Sequence, residues 1–65
     1  MNSCEIQVLW EIVEDSNTTE ECKVGAYLLL EQQVPAERHF AKLTNQEKGR
    51  FQKYPIYHFW KEKNL

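Results

Sequence analysis

Glycine, proline and cysteine are scarce in this chain of 65 residues, with two of each. Gly25 and Gly49 stand alone, so no glycine-rich loop is present to cradle a phosphate and no flexible linker divides the chain. A single domain over residues 1–65 follows. No apolar run reaches the roughly 18 residues that a membrane-crossing helix needs. The opening "MNSCEIQ" lacks the basic start and apolar stretch of a signal peptide. A Cys4–Cys22 bridge is compatible with the letters alone, but the missing export signal points to the cytoplasm and to two reduced thiols. Lys and Arg are absent from residues 1–21, which hold six acids, whereas residues 22–65 hold eight bases and four acids. The first block carries −6 and the second +4, together the net −2 of the chain.

Hydrophobic residues make up 42% and charged residues 28%, which is enough apolar material for a folded core and argues against disorder throughout. A chain this short buries only about 60% of its unfolded surface, so its stability is expected to be marginal. Eight aromatic residues are the main supply of core volume. Any of them left outside would ask for a partner or a second copy of the chain.

The pattern along the chain is helical. In "IQVLWEIV" the β-branched residues could suit a strand, but Gln7, Glu11, Glu14 and Asp15 share one helical face and Ile6, Leu9, Trp10 and Val13 the opposite one. A helix over 4–15 is expected, with Ser3 as N-cap. Thr18 and Glu21 have capping-box spacing and predict a second helix through "EECKVGAYLLLEQQ". Its expected buried stripe is Cys22, Ala26, Leu29 and Leu30, widened by Val24, Tyr27 and Leu28, as suits a central helix contacted on more than one side. Pro35 fits the first turn of a third helix, where its missing N–H costs nothing, and Ala36, Phe40 and Leu43 form that helix's inward face. Thr44 and Glu47 repeat the capping-box spacing. The fourth helix they start carries Phe51 and should end near Tyr54, because the residue before a proline avoids helical angles. Pro55 then opens a last helical turn or two, with Ile56, Phe59 and Trp60 on one side. The expected fold class is therefore all-α, a small bundle of about four short helices with a helical C-terminal tail.

Tyr27, Ala36 and Phe40 place an aromatic, a small residue nine positions later and a large apolar residue four beyond. On these residues "AYLLLEQQVPAERHFAKL" resembles a tetratricopeptide-type helical hairpin over about residues 22–52. Three positions depart from the family pattern. Gly25 falls one residue late, Leu43 stands where a small residue is usual, and Lys48 replaces the closing proline. The resemblance implies a protein-interaction module, or a terminal piece of a longer array, since about three repeats are needed to bury a continuous core.

Chemistry finds little to work with. Cys4, Cys22, His39 and His58 are zinc-ligand types, but their even spacing contains none of the close pairs that form half a site before folding. Two buried or half-buried thiols and two ordinary histidines are the simpler expectation. Glu37, Arg38 and His39 are neighbours in sequence that diverge around a helix. Surface positions are expected for Glu37 and Arg38, with His39 at the margin of the core. Arg50 and His58 do not match the Arg–His spacing of helical ribonucleases. No catalytic residue, metal ligand or cofactor is predicted, and the chain is expected not to be an enzyme.

The segment 48–63 interleaves Lys48, Arg50, Lys53, Lys61 and Lys63 with Phe51, Tyr54, Tyr57, Phe59 and Trp60. Such a segment could track a phosphate backbone and stack on bases. A pI near 5.6 weighs against a nucleic-acid partner, and the same rings are the best core available. The leading expectation is a non-enzymatic protein that adapts, regulates or inhibits a larger protein, or pairs with itself. Tyr54, Tyr57, His58 and Trp60 are its candidate contact residues. A nucleic-acid binder using residues 48–63 and a piece of a longer helical-repeat protein are the alternatives.

Overall fold

The computed structural model describes residues 2–63, which form five helices and no strand among the described residues. They are α1 (Ser3–Glu14), α2 (Glu20–Leu29), α3 (Gln33–Ala41), α4 (Asn45–Phe51) and α5 (Pro55–Lys63). The all-α expectation holds, and the tail is a full helix of nine residues.

Local chemistry explains each boundary. Asn2, not Ser3, caps α1. Its side chain accepts from the Glu5 N–H at 2.9 Å while the Glu5 carboxylate accepts from the Asn2 N–H at 3.3 Å. An amide oxygen at the first available position satisfies the free donors, and Ser3 is drawn inside the helix. Thr19, not Thr18, caps α2 by accepting from the Cys22 N–H at 3.3 Å, and Glu21 is left free for a distant partner. The box at Thr44 and Glu47 forms as its spacing predicts, with bonds of 3.0 and 3.1 Å. Pro55 is the first residue of α5, where the orphan N–H it lacks is no loss. The fourth helix stops at Phe51 rather than near Tyr54. Short i→i+3 bonds from Lys53 to the Arg50 carbonyl and from Tyr54 to the Phe51 carbonyl then tighten the chain into the turn ahead of Pro55.

Helix α2 is the hub, packed against α1, α3 and α5. Its two most buried residues, Val24 and Ala26, lie about 200° apart around the axis, because each residue advances about 100°. Two flanks of the helix are therefore covered and a strip between them is not. That geometry corrects the expected stripe. Leu28, Tyr27 and Leu30 are half-buried, whereas Cys22 and Leu29 are exposed. The innermost cluster is Val24, Leu43 and Phe51, with Leu28, Phe40, Ile56 and Tyr57 packed against it.

Phe40 ties the C-terminal half together. Its ring centre lies 5.9 Å from Phe51, 6.0 Å from Tyr57 and 5.7 Å from Trp60. The Trp60 contact is edge-to-face, a geometry favoured by ring quadrupoles. Trp60 is only 4% exposed. Phe59, expected beside it, points outward instead, since adjacent residues on a helix cannot share one inward face.

The link between α2 and α3 holds a strained residue. The Glu31 N–H donates to the Leu28 carbonyl at 3.1 Å and the Gln32 N–H to the Tyr27 carbonyl at 2.9 Å, the two bonds of a Schellman motif. The motif requires a left-handed residue at its centre, and here Glu31 takes φ 60° where glycine is usual. The Cβ penalty for that conformation is about 1 kcal/mol. Glu31→Gly is therefore expected to stabilise the fold, raising the melting temperature by about 4 °C or more. A thermal melt followed by circular dichroism checks this, and an unchanged or lowered midpoint would refute the strain.

Candidate interaction surface

The acidic N-terminal block is partly consumed inside the fold. Glu20 on α2 reaches His39 on α3, with the carboxylate 2.6 Å from Nδ1, and His39 also stacks on Tyr27 at 5.2 Å between ring centres. Glu21, largely buried at 15% side-chain exposure, receives both Nε and Nη2 of Arg50 on α4, at 3.0 and 2.5 Å. The hydrogen bond to Glu21 is the main reason that the Arg50 guanidinium is held above its ordinary pKa, followed by the attraction of the Glu21 charge itself. These two pairs fix α3 and α4 to the first turn of α2. They join residues 19 and 29 positions apart, and no local spacing announces them.

What remains of the charge is sorted by element. Glu11 and Glu14 on α1 enter no ion pair among the described residues, and Glu5 is engaged only in its cap. Lys61 and Lys63 on α5 lie over aromatic faces, and the Lys63 ammonium is also 3.8 Å from the Glu31 carboxylate. The Lys61 ammonium is 4.3 Å from the centre of the Trp60 ring, and that of Lys63 is 5.7 Å from the Phe59 ring.

The sequence-predicted contact residues do not form one surface. Tyr54 is 43% exposed and His58 is exposed, Tyr57 is half-buried within the ring cluster, and Trp60 belongs to the core. Of the five rings available for base stacking in residues 48–63, Phe51 and Trp60 are buried, which leaves Tyr54 and Phe59 as the well-exposed members. Both thiols are free and exposed rather than buried. Among the described residues no group of three or more His, Cys, Asp or Glu is placed to hold a metal ion. No helix of the described residues is long and apolar enough to cross a membrane.

A different surface stands out. Val8 on α1, Leu29 at the end of α2 and Phe59 on α5 are 52%, 48% and 64% exposed. Leu29 is common to two open grooves. One, of about 550 Å³, is walled by Cys4, Glu5, Val8 and Leu9 of α1. The other, of about 300 Å³, is walled by Leu28, Ile56, Phe59 and Trp60 together with Glu31 and Gln32. The apolar strip thus runs from α1 across Leu29 to α5. It exists because α1 has α2 as its main neighbour, so that Ile6 and Trp10 stay 39% exposed as well. One sign of it is legible in the order of residues along α1. Val8 falls between Glu5 and Glu11 around the helix, an apolar residue on a polar face. Leu29 and Phe59 carried no such sign.

Compared with known proteins, the chain matches no protein-family model, no curated protein and no solved structure.

The fourth helix supplies a pH signature. The Thr44 N–H, and after it the Thr44 hydroxyl, hold the Glu47 carboxylate below its ordinary pKa of 4.5. A carboxylate whose pKa is lowered by folding stabilises the fold above its unfolded value and loses that contribution as pH falls through the folded value. Glu47→Gln is thus expected to lower the melting temperature near neutral pH. The gap to the wild type should shrink as pH falls below 4.5 and onward. A gap that is constant or wider in acid would contradict the assignment.

Proposed function

We propose that this chain works by contact with a protein surface and performs no chemistry of its own, as an adaptor, regulator or inhibitor or by self-association. The observation that carries this reading is the exposed strip of Val8, Leu29 and Phe59. A small domain with few large apolar side chains leaves three of them about half exposed or more along one continuous path, and surfaces of that kind mark contact sites. The tetratricopeptide-like hairpin belongs to the same proposal. Support comes from the close packing of α2 on α3 and from the complete burial of Ala36, the small residue of the spacing. A second reading, a piece of a longer helical array, draws on the partly exposed Ile6 and Trp10, which a neighbouring repeat would cover.

A tagged chain in its native cell tests the proposal. The wild type is expected to retain a protein partner, its own copies included, and Leu29→Glu to release it while the helical circular-dichroism spectrum is kept. Because Leu29 is half exposed, the substitution should leave the core intact. Equal capture by wild type and Leu29→Glu would overturn the assignment of the surface. An isolated chain that lacks helical structure would favour the array reading.

A further inference from the structure

The uncovered strip of α2 has a floor of small residues that ends at Leu29. Cys22, Gly25 and Leu29 fall within about 60° of one another around the helix axis. Cys22 and Leu29 are exposed. A methyl group added at Gly25 would meet nothing within 4 Å beyond its own stretch of helix. Val8 of α1 and Phe59 of α5 each stand across one of the two grooves that share Leu29. The strip is therefore a trough with apolar walls, over which another backbone can come close to α2.

The rim of this trough is acidic on both walls. Glu5 lines the groove on the α1 side and Glu31 the groove on the α5 side, and no Lys or Arg lines either. Glu11 follows Val8 by three residues and Glu62 follows Phe59 by three, so each acid borders an exposed apolar side chain. Lys63 stands near Glu31 at 3.8 Å, with side chains 54% and 80% exposed, a pair too open to hold firmly. Glu5, Glu11, Glu31 and Glu62 against Lys63 leave the rim negative. A second copy of the chain would bring the same acids face to face, which charge complementarity disfavours.

We propose that the trough receives a helix of a partner protein whose apolar stripe is bordered by Lys or Arg, a proposal that rests on the contact reading above. An amphipathic helix laid in an apolar groove is a recurrent mode of recognition. Here its apolar stripe covers Val8, Leu29 and Phe59, its backbone passes over Gly25, and its bases meet the acids of both walls. The small floor sets the depth of the site, and the rim sets the sign of charge that it accepts.

Fluorescence anisotropy with two labelled helical peptides decides the matter. Both carry the same leucine stripe, one bordered by lysines and the other by glutamates. The purified chain is expected to bind the lysine peptide, more weakly as salt rises, and to leave the glutamate peptide free. Gly25→Leu fills the floor without changing any charge. It should lower affinity for the lysine peptide by on the order of tenfold or more, while the melting temperature holds or rises because leucine is the better helix former. Glu11→Lys together with Glu62→Lys should weaken the lysine peptide and admit the glutamate one. Equal binding of the two peptides, binding of neither, or a lysine peptide indifferent to Gly25→Leu overturns the proposal. So does a dimer in sedimentation that Gly25→Leu dissociates, since the occupant is then a second copy. Should the lysine peptide stay free while Leu29→Glu still abolishes capture of a protein in the cell, the basic helix is the wrong occupant and the contact reading stands. Loss of both results ends both.

Discussion

The fold depends on the aromatic cluster that Phe40 organises. Helices α4 and α5 have seven and nine residues, well short of the roughly 12–15 at which an isolated helix becomes even marginally stable in water. Neither can persist by propensity. They are held because Phe51 and Trp60, the ring-bearing residue near each helix end, are almost wholly buried against Phe40 and its neighbours. Tyr57 closes the cluster by touching Phe40, Phe51 and Trp60 at ring separations of 6.0 to 6.2 Å. Pro55 makes the closure possible by starting α5 at the point where the chain must turn back.

Concentrating the rings at one end has a cost at the other. With Phe40, Phe51, Tyr57 and Trp60 committed to the joint between α3, α4 and α5, little is left to cover α1. Trp10 meets Tyr27 only edge-on at 6.5 Å, and Val8 and Ile6 stay in water. The exposed strip follows from the core: a chain with eight aromatic residues seals one side of α2 well and leaves the other thinly covered. Electrostatics reinforces the asymmetry. Glu20 and Glu21 are used to pin α3 and α4, while the acids of α1 remain to face whatever approaches the strip.

Legibility in the sequence tracked the range of the interaction. Signals that act within a turn were readable, as at Thr44 and Glu47, Pro35 and Pro55. So was the central place of the second helix. Errors of one residue arose where two capping side chains competed, Asn2 against Ser3 and Thr19 against Thr18, because the letters do not say which one reaches the free N–H groups. Face assignments failed where a helix has neighbours on more than one side. Leu29 shares the apolar stripe of α2 on a helical wheel, yet it lies in the gap between two covered flanks, and Phe59 lost its inward place to Trp60. The contacts of Glu20 with His39 and Glu21 with Arg50 were hidden by sequence separation, and the left-handed Glu31 by the absence of a glycine that would have marked the turn.

Fluorescence of Trp60 in a Trp10→Phe background reports whether the ring cluster around Phe40 is closed. Blue-shifted emission and strong protection from acrylamide are expected, because the indole is sealed against Phe40 and Tyr57 in a fold that would otherwise have no C-terminal half. Emission at the wavelength of a solvated indole, quenched as freely as in a short peptide while the chain remains helical, would contradict it.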